Sequence, residues 1–343
     1  MADPVTIDGA AGGGQVLRNA VALAAVCGRP VRVANIRGAR PQPGLRPQHV
    51  TAIRAVAEVC GASLTGAEIG SREIEFRPAE VSARTGWRLD VGTAGSLTLV
   101  LQCLLPALAH ADRESELTLV GGTDVPFAPP ADYFRQVFAP ALARLGPAVE
   151  SRVMARGFYP KGGGELRVRV CPAPVRPVRW VERGPVVAVR GICFSQGLPE
   201  HIVARMREGA RRALEGLPVE IEAEARTRGA SEGCGIVLWA QCERAPAPLG
   251  ASALGRRGTP AERVGENVAR SLQQELSGGA VDSHLADQMI VWLALASGDS
   301  EFTTSRASDH LRSAAAVARV VTGAQVEIGE GAPVRVHVRP GGG

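Results

Sequence analysis

Lysine is nearly absent from this 343-residue sequence: of 39 basic side chains, only Lys161 is a lysine. No K-x-D-G occurs, which excludes chemistry built on a lysyl-nucleotide intermediate. The guanidinium-rich remainder suits rigid, bidentate contacts to phosphate, although a GC-rich coding sequence accounts for most of it. Aromatic residues are also scarce, with 7 Phe, 4 Trp and 2 Tyr. That is too few for an extended base-stacking platform of the single-strand-binding kind. No uninterrupted apolar run reaches about eighteen residues, so no membrane-spanning helix is expected. The opening MADPVTIDGA has no basic region followed by an apolar run, so no secretory signal is expected and the cytoplasm is the expected compartment. The seven cysteines form no C-x-x-C pair, and several lie in apolar runs such as AAVCG and LQCLL. They read as small buried hydrophobes in a reducing compartment rather than a disulfide or zinc framework. Four of the six histidines (His49, His110, His201, His337) have no metal-ligand spacing.

What is present is an ordinary globular composition, 45% apolar and 21% charged, with a net charge of +5 that allows an anionic substrate without demanding one. The chain alternates helix and strand patterns, and three stretches repeat one order: strand, Gly/Ser-rich turn, apolar helix, strand, loop, second helix, antiparallel strands. The first runs from VTIDG (5–9) through VRVANI (31–36) to REIEFRP (72–78). The second runs from RLDVGT (88–93) through ELTLVG (116–121) to ELRVRV (165–170). The third carries LADQMIVWLALASG, EFTTS (301–305) and VRVHV (334–338). The closing strands alternate apolar and charged, and the helices carry apolar residues at three-and-four spacing. Val31 and Leu117 lie 86 residues apart, but Leu117 and Glu301 lie 184 apart. The excess is the size of a small domain. The spacing therefore predicts an α/β (α+β) fold, with a three-repeat domain over 1–183 and 280–343 and an inserted domain over 184–279. Within the insert, APAPLGASALGRRGTP reads as a flexible centre.

If the copies pack around a pseudo-threefold arrangement, their loops converge. The strand-to-second-helix loops hold Arg37, Arg40, Gln48 and His49, then Thr123, Asp124, Pro129 and Pro130, then Arg306, Asp309 and His310. The first-strand loops cover residues 8–15, 90–96 and 282–288. Glycines let backbone approach a ligand closely, and helix N-termini with guanidinium forks suit phosphate oxygens. Ser308 or Asp309 can cap the helix that follows, placing His310 in its first turn, where the dipole favours a neutral, nucleophilic imidazole.

GGGQVLR (12–18), IRGARPQPGL (36–45), GTAGSLTLVLQ (92–102), GGTDVPFAPPADY (121–133), RGFYPKGGGE (156–165), HLADQ (284–288) and DHLRSAAAV (309–317) resemble the RNA 3′-terminal phosphate cyclase family. The resemblance implies three copies of a unit like the C-terminal domain of translation initiation factor 3, with an insert of thioredoxin-like topology. It also implies a nucleotidyl-transferring ligase that uses ATP with Mg²⁺ or Mn²⁺. A histidine becomes histidyl-AMP, AMP passes to the 3′-phosphate of an RNA end, and the 2′-OH closes a 2′,3′-cyclic phosphodiester. His310 matches the nucleophile. Arg18, Arg37, Arg40 and Gln48 match phosphate-gripping residues. Gln15, Pro130, His284, Asp287 and Gln288 match the nucleotide site, with Pro130 and His284 clamping adenine and Asp287 holding the metal. Lys161, Gly162, Gly163 and Gly164 read as a structural turn. The family's D-G-x-x-G-E-G-G-G-Q is two residues shorter here and lacks its glutamate, a metal ligand. That loss leaves open a non-catalytic cyclase-like RNA-binding factor. An enolpyruvyl transferase, built on related repeats, needs more copies than three.

Overall fold

A computed structural model describes residues 3–342. The chain opens with β1 (Val5–Asp8), α1 (Gly14–Cys27), β2 (Val31–Ala34), α2 (Pro47–Val59), β3 (Ser63–Thr65) and β4 (Ile74–Arg77). Next come β5 (Trp87–Asp90), α3 (Leu97–Ala109), β6 (Ser115–Gly121), α4 (Ala131–Tyr133), α5 (Ala139–Leu145), β7 (Ala148–Ala155) and β8 (Gly164–Cys171). A two-residue strand, β9 (Arg179–Trp180), precedes β10 (Val186–Gln196), α6 (His201–Ala213), β11 (Val219–Arg226), β12 (Gly233–Cys242), β13 (Leu249–Leu254) and α7 (Ala261–Leu276). The chain closes with α8 (Ser283–Leu293), β14 (Ser300–Thr304), α9 (Asp309–Thr322), β15 (Gln325–Ile328) and β16 (Val334–Arg339).

These strands make four four-stranded sheets, ordered β1-β2-β4-β3, β5-β6-β8-β7, β9-β14-β16-β15 and β11-β10-β12-β13. In each of the first three, one parallel pair (β1 with β2, β5 with β6, β9 with β14) is followed by antiparallel neighbours. A parallel pair needs a crossover, and α1 and α3 supply it in the first two sheets. In the third, the crossover from β9 to β14 contains the whole fourth sheet before α8. Helix α1 is buried on all sides from Val16 to Ala25, which is why its sequence is apolar there apart from Arg18 and Asn19. It packs between α3 and α9, while α2 packs on α3 and α8 on α9. One continuous hydrophobic core therefore joins the three sheets through their helices. The outer faces of the strands carry the charges that give the closing strands their alternation, as with Arg167 and Arg169 on β8. Residues of β10–α7 hold a second core around Val189, Met206, Leu238 and Leu272.

Three sequence expectations need correction. The segment read as a flexible centre contains β13, which pairs in register with β12 from Ala240 to Gly235. Its Gly-Ala-Ser-Ala composition has little strand propensity, and the free edge of β12 with α7 packed beneath it supplies the order. Residues 282–288 are no loop: Asp282 caps α8 and the rest are helical. The second helix of the middle unit is not uniformly α-helical, because a π turn (Phe134–Phe138) joins α4 to α5.

Candidate functional site

The site forms where loops of the three units meet. Helix α1 begins after Gly13, whose φ of 62° is left-handed. No side chain caps this end, so its N–H groups stay free for a ligand. Arg40 stands over it: a Cβ on Gly13 would lie 3.1 Å from its guanidinium. A Cβ on Gly14 would lie 2.2 Å from Nε2 of His49 and 3.1 Å from Nη1 of Arg18, so glycine is what lets these two side chains reach the helix start. Both are buried, and the Nε of Arg18 has no hydrogen-bond partner. Burial lowers the Arg18 pKa to about 10. His49 is pushed down to about 3, by burial first and then by Arg18, Arg37 and Arg46. Its Nδ1 accepts the Arg46 N–H at 3.0 Å, so the proton of this neutral imidazole sits on Nε2, facing α1.

The third unit brings His310 to the same place. Gln15 donates to the His310 carbonyl at 3.4 Å, and a Cβ on Gly12 would touch Ser313. The cap of α9 is Ser308: its Oγ accepts the Leu311 N–H at 2.9 Å and donates to Asp287 on α8. His310 is exposed at this helix start. Its pKa is lowered by burial first, then by Arg18, Arg40 and His284, with Asp309 pulling the other way. The sequence assigns that neutrality to the helix dipole; the guanidinium neighbours and partial desolvation are a further cause. Asp287 is buried, and burial pushes its pKa up to about 6 against the Ser308 hydrogen bond.

The remaining site residues are held more tightly than the sequence suggests. Arg37, at φ 56°, donates through Nη1 to the Gln42 and Gly44 carbonyls, both at 2.9 Å, and so holds its own loop together. Oε1 of Gln48 accepts the Ser96 N–H at 2.8 Å, tying the first unit to the second. Gln288 donates to the His284 carbonyl at 3.0 Å. Pro130 is buried at the start of α4. The ring of Tyr133, one helical turn on, meets the exposed His284 edge-on with centroids 6.4 Å apart.

Sequence reasoning passed over the buried acids beneath this surface. Asp282 accepts from Tyr133 Oη at 2.6 Å, from the Gly250 N–H of β13 at 3.0 Å and from the His284 and Leu285 N–H groups. It thus joins the second unit, the fourth sheet and α8 through one carboxylate. Glu275 accepts from Ser283 and Ser305, each hydroxyl at 2.6 Å. In sequence both look like helix-end acids, and nothing local distinguishes them. Thr123 and Asp124 belong to another buried network. There Arg156 bonds Asp124 at 3.2 Å, Asp132 at 2.7 Å and Glu224 at 2.9 Å, and lies 3.9 Å above the Phe194 ring. The 156–165 segment therefore clamps the fourth sheet to the second unit. Its glycines pack back-to-back, with no room for a Cβ on Gly157, 2.3 Å from Gly164 N.

A divalent cation is the other requirement the sequence raises. Among the described residues, no group of three or more His, Cys, Asp or Glu side chains is placed to hold one. Asp8 spends Oδ1 on the Ala10 N–H and the Asn35 amide. Asp287 keeps its second oxygen outside the Ser308 bond. A single buried carboxylate fits Mg²⁺, which takes one or two carboxylates and completes its shell with water and phosphate oxygens.

The family model described as RNA 3′-terminal phosphate cyclase matches residues 10–328. An RNA 3′-terminal phosphate cyclase of Archaeoglobus fulgidus is 45% identical over 328 residues, covering 94% of this chain and 97% of the relative. That of Methanopyrus kandleri is 43% identical and covers 98% and 99%. That of Nitrosospira multiformis is 44% identical and covers 87% and 85%. With a match of this length and identity, the chain belongs to the RNA 3′-terminal phosphate cyclase family of enzymes.

Proposed function

We propose that the protein converts an RNA 3′-terminal phosphate into a 2′,3′-cyclic phosphodiester at the expense of ATP, through a histidyl-AMP on His310. The observation that carries this reading is the placement of His310 at the start of α9, near Arg18, Arg40 and the uncapped N-terminus of α1. Attack of the imidazole on the α-phosphorus forms the P–N bond and expels pyrophosphate. A 3′-phosphate oxygen then takes the AMP and frees His310. The vicinal 2′-OH attacks the activated 3′-phosphorus, loses its proton and expels AMP. A phosphate monoester dianion has no leaving group of its own, and adenylylation supplies one. Arg18, Arg40, His49 Nε2–H and the α1 amides serve the negative charge of the phosphates, as preorganised donors do. Gln15, Gln288, Pro130 and His284 serve the nucleotide, with Pro130 and His284 as the adenine faces. Asp287 would hold Mg²⁺ or Mn²⁺, which when bound neutralises phosphate charge.

The shared order of three sheets supports reading them as copies of a unit like the C-terminal domain of translation initiation factor 3. The order β11-β10-β12-β13 supports a thioredoxin-like insert over 184–279. Seven unpaired cysteines suit the cytoplasm.

The test is incubation with ATP labelled at its α-phosphorus and Mg²⁺ or Mn²⁺, followed by denaturing electrophoresis. The wild type is expected to retain acid-labile label and His310→Ala none. No label with either metal overturns the reading and favours a non-catalytic RNA-binding role, to which the missing glutamate already points.

A further inference from the structure

Most of the chain's few aromatic rings are buried, but two on adjoining loops are not. Phe127 is 96% exposed and has a φ of 65°. That backbone region is disfavoured for a bulky side chain, and the ring gains no packing in return. A residue held against both preferences points to a ligand. Tyr159 is 69% exposed. Their loops are joined: Asp124 pairs with Phe158 in a parallel bridge, and the Gly157 carbonyl accepts the Thr123 and Asp124 N–H groups at 2.9 and 3.1 Å. Lys161 follows Tyr159 by two residues. Arg228 lies two residues before Ala230, which packs on Gly163, where a Cβ would lie 2.4 Å away. Both cations are exposed, and neither has an ion pair among the described residues.

This patch runs into the site. Pro130 lies three residues after Phe127 on the same loop. The 159–163 turn rests on the middle unit's first loop, since a Cβ on Gly162 would lie 2.9 Å from Thr93 O and Ala94 Cα. Two residues on, Ser96 N–H bonds Gln48. We infer that Phe127 and Tyr159, flanked by Lys161 and Arg228, form a nucleobase-stacking extension of the site that takes the single-stranded RNA 5′ to its terminal phosphate. The inference rests on the reading above for that phosphate. Stacking on aromatic faces tolerates any base, and the cations follow the backbone. Two rings make no long platform, but they suffice to seat one or two bases upstream of the terminal dinucleotide.

The experiment is fluorescence anisotropy with a 5′-labelled, 3′-phosphorylated RNA decamer, using a 3′-phosphorylated dinucleotide as competitor. The proteins are wild type, Phe127→Ala, Tyr159→Ala and Phe127→Trp. Each alanine variant is expected to bind the decamer about 5-fold or more weakly, to leave the dinucleotide nearly unaffected and to label His310 from ATP at the wild-type rate. Phe127→Trp is expected to retain binding. Unchanged decamer affinity in both alanine variants overturns the inference. So does slowed His310 labelling in Phe127→Ala, which would assign the ring to the nucleotide pocket. A wild type that never labels His310 but loses RNA when the rings are removed would sink the cyclisation reading and leave this inference standing.

Discussion

Replacing Arg156 by Leu should destabilise the protein far more than an ordinary substitution, and part of the loss should be recoverable with acid. The guanidinium is 1% exposed and bonds three carboxylates, two of them as buried as itself. The two sides of the network respond differently. Burial disfavours the Arg156 charge, but Asp124, Asp132 and Glu224 more than compensate and hold its pKa above the ordinary value. Asp124 is held above the usual carboxylate range by burial and by the charge of Asp132, in spite of Arg156. Arg135 also reaches Asp132 at 3.0 Å and Arg226 reaches Glu224 at 2.6 Å, so Asp124 is the carboxylate with Arg156 as its only cation among the described residues. Breaking a buried pair by removing one partner costs about 3–5 kcal/mol, and the lost contact with Phe194 adds about 0.5–2 kcal/mol. With an m-value of about 3 kcal/mol/M, the urea midpoint should fall by roughly 1–2 M. The pH arm has a definite sign. A carboxyl whose folded pKa exceeds its unfolded value penalises the fold above the folded pKa, and the penalty lifts as pH falls toward the unfolded value. Without Arg156, Asp124 rises further. The gap between variant and wild type should therefore narrow by roughly 1–3 kcal/mol from pH 7.5 to 5.5, at about 1.4 kcal/mol per unit for each group titrating. Urea titrations at both pH values, followed by tryptophan fluorescence, measure this. A loss under 1 kcal/mol, or a gap indifferent to pH, would refute the argument.

Other predictions concern the site. The acid limb of kcat/KM for ATP should fall near pH 6, where Asp287 takes its proton, and not at a higher imidazole pKa, because His310 is held neutral by burial and by Arg18 and Arg40; a pH–rate profile tests this. Ser308→Ala removes both the cap of α9 and the hydrogen bond that stabilises the Asp287 carboxylate. It should cost about 1 kcal/mol of stability and move that acid limb to higher pH, and a limb that stays or moves down contradicts the assignment. Gly14→Ala places a methyl on His49. It should cost about 1–3 kcal/mol by overpacking and slow His310 labelling about tenfold or more, whereas a variant with wild-type labelling would remove His49 and Arg18 from the phosphate role.

Much of this arrangement is legible from local rules. The alternation in 165–170 and 334–338 can be satisfied only by strands with one face covered, and they are so. Ser308 followed by an amphipathic run announces the start of α9 and puts His310 in its first turn. What escapes is set by tertiary context. A two-residue strand such as β9 has no period to read. Leu249–Leu254 becomes a strand because a neighbour offers its edge. Nothing in the local pattern shows that Arg18 is buried, but the packing of α1 between two helices buries it. Arg156 sits in a recognisable motif, yet its three carboxylates come from distant positions, which no spacing along the chain relates to it.

The placement of β9 bears on how the protein is made. Trp180 pairs with Phe302, so the third sheet cannot start until the ribosome has passed the entire fourth sheet, roughly 6–24 s later at 5–20 residues per second. During that interval the first two sheets and the fourth can close, while the side of α1 that meets α9 lies bare. That naked helix face is a natural hold for a chaperone, and a transcript truncated before residue 300 yields a product that displays it permanently. Quality control can then sort finished from unfinished copies by the same surface that the last helix covers when it delivers His310.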